Sequence, residues 1–442
     1  MSSEIASVGV LRSPHDRRIF ALAVPALGAL AAEPLYVLVD TAIVGHLGTP
    51  QLAALAIAAT VLTTGFTVFN FLTYGTTAHV ARLHGAGRPE EAALVGSQAL
   101  WLSLAIGLAL LVAVVPLAPF AVSLMGGEGE VARQATLYLR LAALGAPFFM
   151  LATAGQGYLR GISDLRTPLV ILVAAHAVNV VLEVLFVYGF GWGLAGSAWG
   201  TVIAQAGMGL AFVAVQRRAG WQPPRWSRIR PLVRIGGHIA VRTSALLGSF
   251  LVASAVLARV GPASLGAHQI AFQLFVFLAL VLDALAIAGQ VMVGRMLGGG
   301  DAGGAREAAL RMIGWSVVIG ALFGVLLLAF GDVIPRAFTS DEAVVAQANE
   351  IWWIFALMMP ANGAVFALDG ILIGAGDTRF LMWGMLSAAA VYVPVALLAL
   401  DRGWGIQGVW LGLAGLIAVR LISCGARFAS SRWALTGAPA SS

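Results

Sequence analysis

The sequence predicts an all-α polytopic membrane protein with twelve transmembrane helices in two pseudo-symmetric lobes of six. Three observations predict it. The 442 residues are 60% hydrophobic and only 10% charged, with a mean hydropathy of +0.91, whereas soluble globular chains carry about 25% charged residues. Breaks at charged or Gly/Pro-rich stretches leave twelve apolar runs, each able to cross a bilayer core that needs about 20 residues. The second half of the chain also repeats the first.

The first run, 17–45, follows the polar stretch MSSEIASVGVLRSPHDRR. It is far longer than the apolar stretch of a cleavable signal, so no signal peptide is expected. HLGTPQ ends it, and 52–83 then runs to HGAGRPEE. Run 92–120 stops before the Gly/Glu-rich MGGEGE, and 131–160 stops at GISDLR. Run 167–189 ends at FGWG, and 195–217 completes a first lobe spanning 1–217. The longest break follows within QRRAGWQPPRWSRIRP, whose prolines and five arginines read as a linker, 218–231, lying along headgroups. The second lobe, 232–442, holds runs 232–260, 265–297, 306–331, 344–374, 378–400 and 406–429.

All 26 basic residues are arginine. Most fall on one side of a twelve-span arrangement, among them Arg12, Arg17, Arg18, Arg82, Arg88, Arg160, Arg166, Arg295, Arg379, Arg420 and Arg427. The opposite loops hold Glu128, Glu130, Asp332, Asp341, Glu342 and Asp401. The excess of positive charge marks the cytoplasmic side, so both termini are expected there. Nucleic-acid binding is not expected despite a pI near 10.2, because the basic residues punctuate apolar runs rather than line a base-reading surface. An arginine-only, Ala/Gly-rich chain fits a GC-rich bacterial genome and hence a bacterial inner membrane. The single Cys424 excludes an internal disulfide and a cysteine-cluster metal site.

The repeat has nearly one offset. GYLRGISDLR (157–166) matches GILIGAGDTR (370–379) through Gly157/Gly370, Gly161/Gly374, Asp164/Asp377 and Arg166/Arg379. HLGTPQLAA matches RVGPASLGA through Gly48/Gly261, Leu52/Leu265 and Ala54/Ala267, and GWGLAG recurs as GWGIQG. Six spans per repeat give both halves one orientation, with a pseudo-two-fold axis along the membrane normal and a cavity between lobes.

Ionisable groups inside such spans are expensive and mark function by default. Asp40 lies about five residues from the outer end of its span, Asn179 and Glu183 about six to ten, and Thr201 about six, which at 1.5 Å per residue is a similar depth. Asn179 and Glu183 are i,i+4 and share a helix face. The repeat supplies a control: Asp40 corresponds to Ala253, Asn179 and Glu183 to positions near Tyr392 and Ala396, and Thr201 to Leu413. A purely architectural hydrogen-bond network, the alternative, would be expected in both copies. Two carboxylates in a poorly solvated pocket cannot both stay ionised cheaply, so the pair takes up a proton. Alternatively Asp40, Asn179, Glu183 and Thr201 coordinate a hard cation such as Na⁺; composition leaves both open. Pro25 and Pro34 give the first span places to bend, statically or as a moving part.

Glu33, Tyr36, Asp283 and Asp369 are further candidates for lining a cavity. Glu33 shares the Asp40 face about two turns away. Asp283 and Asp369 would contact a cationic substrate or serve as caps and interhelical partners. Gly157/Gly161 and Gly370/Gly374 read as close helix packing. His79 and His84 lack a third metal ligand. The absence of Walker A, H-E-x-x-H and G-x-S-x-G motifs weighs against an ATP-driven pump or a familiar hydrolase.

PLYVLVDTAIVGHLG, YGTTAHVARLHGAG, QGYLRGISDLRTP, LDALAIAGQVMVGR and LDGILIGAGDTR together resemble the multidrug and toxic compound extrusion (MATE) family, in its DinF-like branch, from about Ile19 to Arg427. The resemblance implies the MATE/MOP-type fold and a secondary antiporter that expels organic, often cationic, compounds against inward H⁺ or Na⁺. It implies ion coupling at Asp40, Asn179, Glu183 and Thr201. Glu183 stands where the branch often has aspartate, and Asn362 where the NorM-like branch has an acid. The expectation is an H⁺-coupled (alternatively Na⁺-coupled) exporter of cationic or amphipathic small molecules, without a resident cofactor, monomeric among membrane lipids. Two other readings stay open: a flippase for a lipid-linked or amphipathic metabolite, which would want a cationic central cavity where only Arg242 is placed, and a membrane-embedded acid/base enzyme.

Overall fold

The computed structural model describes residues 13–331 and 333–438; Arg12 and Asp332 lie outside them. Among the described residues twelve helices are long and apolar enough to cross a membrane. The first six are α1 (Pro14–Gly45), α2 (Thr49–Gly85), α3 (Pro89–Leu124), α4 (Gly129–Gly161), α5 (Arg166–Gly189) and α6 (Gly193–Ala219). The second six are α7 (Trp226–Val260), α8 (Pro262–Gly298), α9 (Ala302–Ala329), α10 (Glu342–Gly374), α11 (Thr378–Asp401) and α12 (Gly405–Ala429). A short helix, Val333–Phe338, lies between α9 and α10.

Local chemistry sets the ends. Ser13 caps α1 in a reciprocal box with Asp16, satisfying backbone N–H groups that the first turn leaves free. Gly48 and Gly261 cap α2 and α8 at matching repeat positions, with proline in the first turn of each. The break between lobes is shorter than expected. Helix α7 begins at Trp226, leaving only residues 220–225 outside helices. Ser97 and Gln98 of α3 hold that stretch, accepting from the backbone N–H groups of Gln222 and Arg225. The first turns of α7 then bury Ile229 and Leu232 while Arg228 and Arg230 stay exposed. An amphipathic interfacial turn thus has the composition of a linker.

The repeat is carried into the packing. A Cβ on Gly157 would lie 2.8 Å from the Thr73 carbonyl, and one on Gly370 would lie 2.1 Å from that of Ala286. Gly161 lies equally tight on Val80, and Gly374 on Gln290. Thus α4 seats on α2 as α10 seats on α8, through the small residues that let membrane helices approach closely. Gly107 against Pro147 and Gly320 against Pro360 repeat the relation.

The lobes meet about the same pseudo-axis. A Cβ on Gly85 of α2 would stand 2.0 Å from the Arg295 carbonyl of α8, and one on Gly298 of α8 would stand 2.1 Å from the Arg82 carbonyl of α2. These are repeat-related residues facing one another. Other bridges between lobes share this arginine-rich half. Tyr74 donates to Asp283 (2.9 Å), and Gln290 Nε2 donates to the Tyr74 carbonyl (2.6 Å). Arg311 and Trp315 donate to Asp16 (2.6 and 2.8 Å). Ile19, Leu22, Ala23 and Ala26 of α1 pack with Ala284, Ile287 and Ala288 of α8. Hydrogen bonds thus tie the lobes together in the arginine-rich half.

Arg82 is a correction to the charge count. It is buried and donates to the carbonyls of Ala375, Leu435 and Gly437, pinning the end of α2 to the second lobe. Arg160 and Arg420 are buried too, so none of the three reaches outward, whereas Arg17, Arg88, Arg166, Arg217, Arg228 and Arg230 are exposed.

Candidate functional site

Three helices of the first lobe converge on one polar cluster. Helix α1 supplies Tyr36 and Asp40, α5 supplies His176, Asn179 and Glu183, and α6 supplies Ser197 and Thr201. Each helix presents its groups at i,i+4 or nearly so, the spacing that stacks side chains on one face. Ser197 Oγ donates to Asp40 Oδ1 at 2.8 Å. The Tyr36 and Thr201 hydroxyls share a hydrogen bond of 2.9 Å, and the Tyr36 ring stacks on His176 at 4.8 Å. Asp40 is 6% exposed and Glu183 fully buried. The Glu183 carboxyl faces those of Asp40 and the Ser197 hydroxyl, yet neither Glu183 oxygen has a donor among the described residues, and Asn179 Oδ1 has none either.

Backbone features hold α5 and α6 together here. Gly200 brings α6 onto α5 where a Cβ would meet Asn179 Oδ1 and the Glu183 N at 3.2 Å. Immediately beyond Glu183 the helix widens into a π-helical turn, Leu185–Gly189, a feature frequent at functional sites. Tyr188 on that turn donates to the Ile43 carbonyl of α1 at 2.6 Å. Helix α1 runs unbroken through Pro25 and Pro34.

The second lobe has no acid at the matching positions. Ala253, Tyr392, Ala396 and Leu413 are all buried in a single hydrophobic cluster, with Val409 at the place of Ser197. Asn362 lies nearby against Phe250, His268 and Trp410 and donates to the Met358 carbonyl. The scaffold therefore does not require the acids.

The remaining candidates divide. Tyr36 belongs to the cluster. Glu33 is exposed and does not join it. Asp283 and Asp369 are not free acids lining a cavity. Asp283 accepts the Tyr74 hydroxyl, and Asp369 Oδ2 accepts from both Arg242 and Arg420. An unpaired acid at that depth is costly, and two arginines neutralise this one. His79 and His84 are partnerless at Nδ1, and the described residues hold no group of three His, Cys, Asp or Glu able to bind a metal.

Sequence reasoning missed Ser197, although it precedes Thr201 by one turn. It missed Arg160 and Arg420 because arginines near helix ends read as headgroup contacts. Arg160 had a signal, since its repeat partner is Ile373.

The MatE family model matches residues 25–185 and 239–398, two copies set one repeat apart. DNA damage-inducible protein F of Escherichia coli K12 is 28% identical over 433 residues, covering 93% of this chain and 91% of that protein. Protein DETOXIFICATION 44, chloroplastic, of Arabidopsis thaliana is 29% identical, covering 92% and 80%. A MOP superfamily transporter from Pyrococcus furiosus, described as having a binding pocket of reverse polarity, superposes with a TM-score of 0.85 at 20% identity over 98% of this chain and 100% of its own. With a family model covering both halves, the chain belongs to the multidrug and toxic compound extrusion family of multi-pass membrane transporters.

Proposed function

We propose that this transporter is a proton-driven antiporter that expels amphipathic organic compounds across a bacterial inner membrane, with the arginine-rich face and both termini in the cytoplasm. The observation that carries the reading is the Asp40–Glu183 pair. Two buried carboxyls face each other with no donor on Glu183 among the described residues, and the sister lobe has alanine, Ala253 and Ala396, at both matching positions. One shared proton is the donor this geometry lacks, since like charges so close cannot both ionise cheaply. The same oxygens, with Asn179 and Thr201, are the donor set a sodium ion would use.

A route for the proton supports the scheme. An open pocket of about 260 Å³ on the acidic face is lined by Gln51, Arg133, Gln134, Tyr138 and Leu194, room for several waters. The hydroxyl of Tyr138, one of the lining residues, neighbours Ser197, which donates to Asp40. Protons thus reach Asp40 from outside without passing through the space between the lobes. Protonation removes the charge that strengthens the Ser197–Asp40 bond, worth about 1.5–3 kcal/mol against about 0.5–1.5 for a neutral one. Pro34 leaves the Leu30 carbonyl without its helical partner, so the half of α1 bearing Tyr36 and Asp40 is the segment free to tilt. The lobes then rock between facing outward and inward, and no covalent chemistry is involved.

Of two fluorescent amphipaths of opposite charge, cells expressing the wild type should accumulate less of at least one than cells carrying an empty vector. Asp40→Asn should accumulate as much as the vector control while the purified variant keeps its melting temperature. Undiminished export in that variant would overturn the reading. The flippase reading gains one observation: besides part-buried Arg242, Arg160 and Arg420 are buried inside the protein.

A further inference from the structure

A charge cluster that the coupling scheme does not use runs from the lobe boundary into the second lobe. Arg160 comes from α4, Arg242 from α7 and Arg420 from α12, against two carboxylates, Asp283 of α8 and Asp369 of α10. Asp369 serves Arg242 and Arg420, and Asp283 serves Tyr74 across the lobe boundary. Arg160 lies beside the Tyr74–Asp283 pair, but among the described residues its one side-chain hydrogen bond goes to the neutral Gln156 Oε1 at 3.1 Å. Three guanidiniums against two carboxylates leave one cation in excess, and Arg160 is the one without a direct carboxylate.

Its direction is informative. Arg160 is the penultimate residue of α4, at the arginine-rich end. Arginines near a helix end usually reach outward to headgroups. Helical side chains lean toward the helix N-terminus, however, and the bond to Gln156 one turn back carries this guanidinium inward. It is only 6% exposed. A cation held at such depth is costly and marks function by default. The repeat shows that the fold does not need it: Ile373 occupies the matching place, buried among apolar side chains of the second lobe, and Gln156 stands where the second lobe has Asp369.

We propose that Arg160, beside the Tyr74–Asp283 pair, binds the oxyanion head, phosphate or carboxylate, of the exported compound. The planar fork of a guanidinium matches two oxygens of such a head as a lysine does not. The Tyr74–Asp283 bond bridges the lobes beside it, so parting the lobes at the arginine-rich face uncovers Arg160. The inference deepens the export reading by naming the substrate's charge, and it revises the expectation of a cationic one; binding itself does not depend on coupling.

The test is equilibrium binding of octyl phosphate to the full chain in phosphatidylcholine nanodiscs, with octyltrimethylammonium as the opposite-charge probe. The wild type should bind octyl phosphate and prefer it to octyltrimethylammonium. Arg160→Gln should weaken octyl phosphate by about tenfold or more, the loss of a charge-assisted contact, and Arg160→Lys should fall between. Asp40→Asn should bind octyl phosphate as the wild type does, even where ΔpH-driven export is lost, which separates failure of coupling from failure of this site. Displacement by inorganic phosphate would identify a free oxyanion as the ligand, and weakening in phosphatidylglycerol nanodiscs would identify a lipid headgroup; either keeps the site. Equal affinity in wild type and Arg160→Gln would overturn the proposal. So would a wild type that binds both probes alike, a result that needs no variant to fold.

Discussion

Replacing Gly85 or Gly298 by alanine should open the arginine-rich face. A Cβ at these positions would stand 2.0 and 2.1 Å from the carbonyls of Arg295 and Arg82 across the lobe boundary. Ordinary contact begins near 3.4 Å, so α2 and α8 must separate by more than an ångström. Overpacking of this kind costs about 1–3 kcal/mol. The cost falls on the state with this face closed and is relieved when the lobes part, so the open-to-closed ratio rises by about 5- to 150-fold. The assay is a pair of spin labels on Arg88 and Arg379 in a Cys424→Ser background, read by double electron–electron resonance in nanodiscs. Each single variant should shift population toward longer distances, and the double variant should shift it further. Gly157→Ala is the control. Its Cβ would collide with Thr73 and Thr76 inside one lobe, so it should lower the melting temperature without moving the distance distribution. If Gly85→Ala and Gly298→Ala leave the distances where Gly157→Ala leaves them, the Gly85–Gly298 crossing does not control closure of this face.

Three other outcomes follow from the same contacts. Ser197→Ala removes the donor to Asp40 and should weaken coupling by about 1.5–3 kcal/mol, seen as a drop in the proton gradient's effect on export with the fold retained. Asp369→Ala strands Arg242 and Arg420 and should cost about 3–5 kcal/mol of stability, read as a lowered melting temperature. Asp369→Leu combined with Arg242→Met and Arg420→Met should recover much of that loss. Tyr138→Phe should slow export at limiting outside proton concentration and leave it unchanged at saturating concentration, if Tyr138 passes protons from the acidic-face pocket.

The fold was legible because a bilayer admits few solutions: backbone groups must be satisfied within each span, so apolar runs and their breaks define the helices. The repeat in Gly157/Gly370 and Gly48/Gly261 was legible because close packing and capping tolerate little else. The stretch 226–231 was misread because an interfacial helical turn, with arginines outward and Ile229 and Leu232 inward, has the composition of a linker. In the candidate site, depth and repeat asymmetry picked out Asp40, Asn179, Glu183 and Thr201, which the fold brings together. They could not reveal that Asp369 is neutralised, because its partners Arg242 and Arg420 come from distant spans. Nor could they show that Arg160 turns inward, since that depends on which side of α4 meets α2 and α8.

The most direct test of the central claim is transport in proteoliposomes under a proton gradient or a sodium gradient imposed alone, with ethidium and octyl phosphate as probes. The account predicts that the proton gradient alone drives movement of at least one probe, and that Asp40→Asn and Glu183→Gln each abolish the drive while still folding and binding. Transport driven by sodium alone, or proton-driven transport that survives both substitutions, would contradict it.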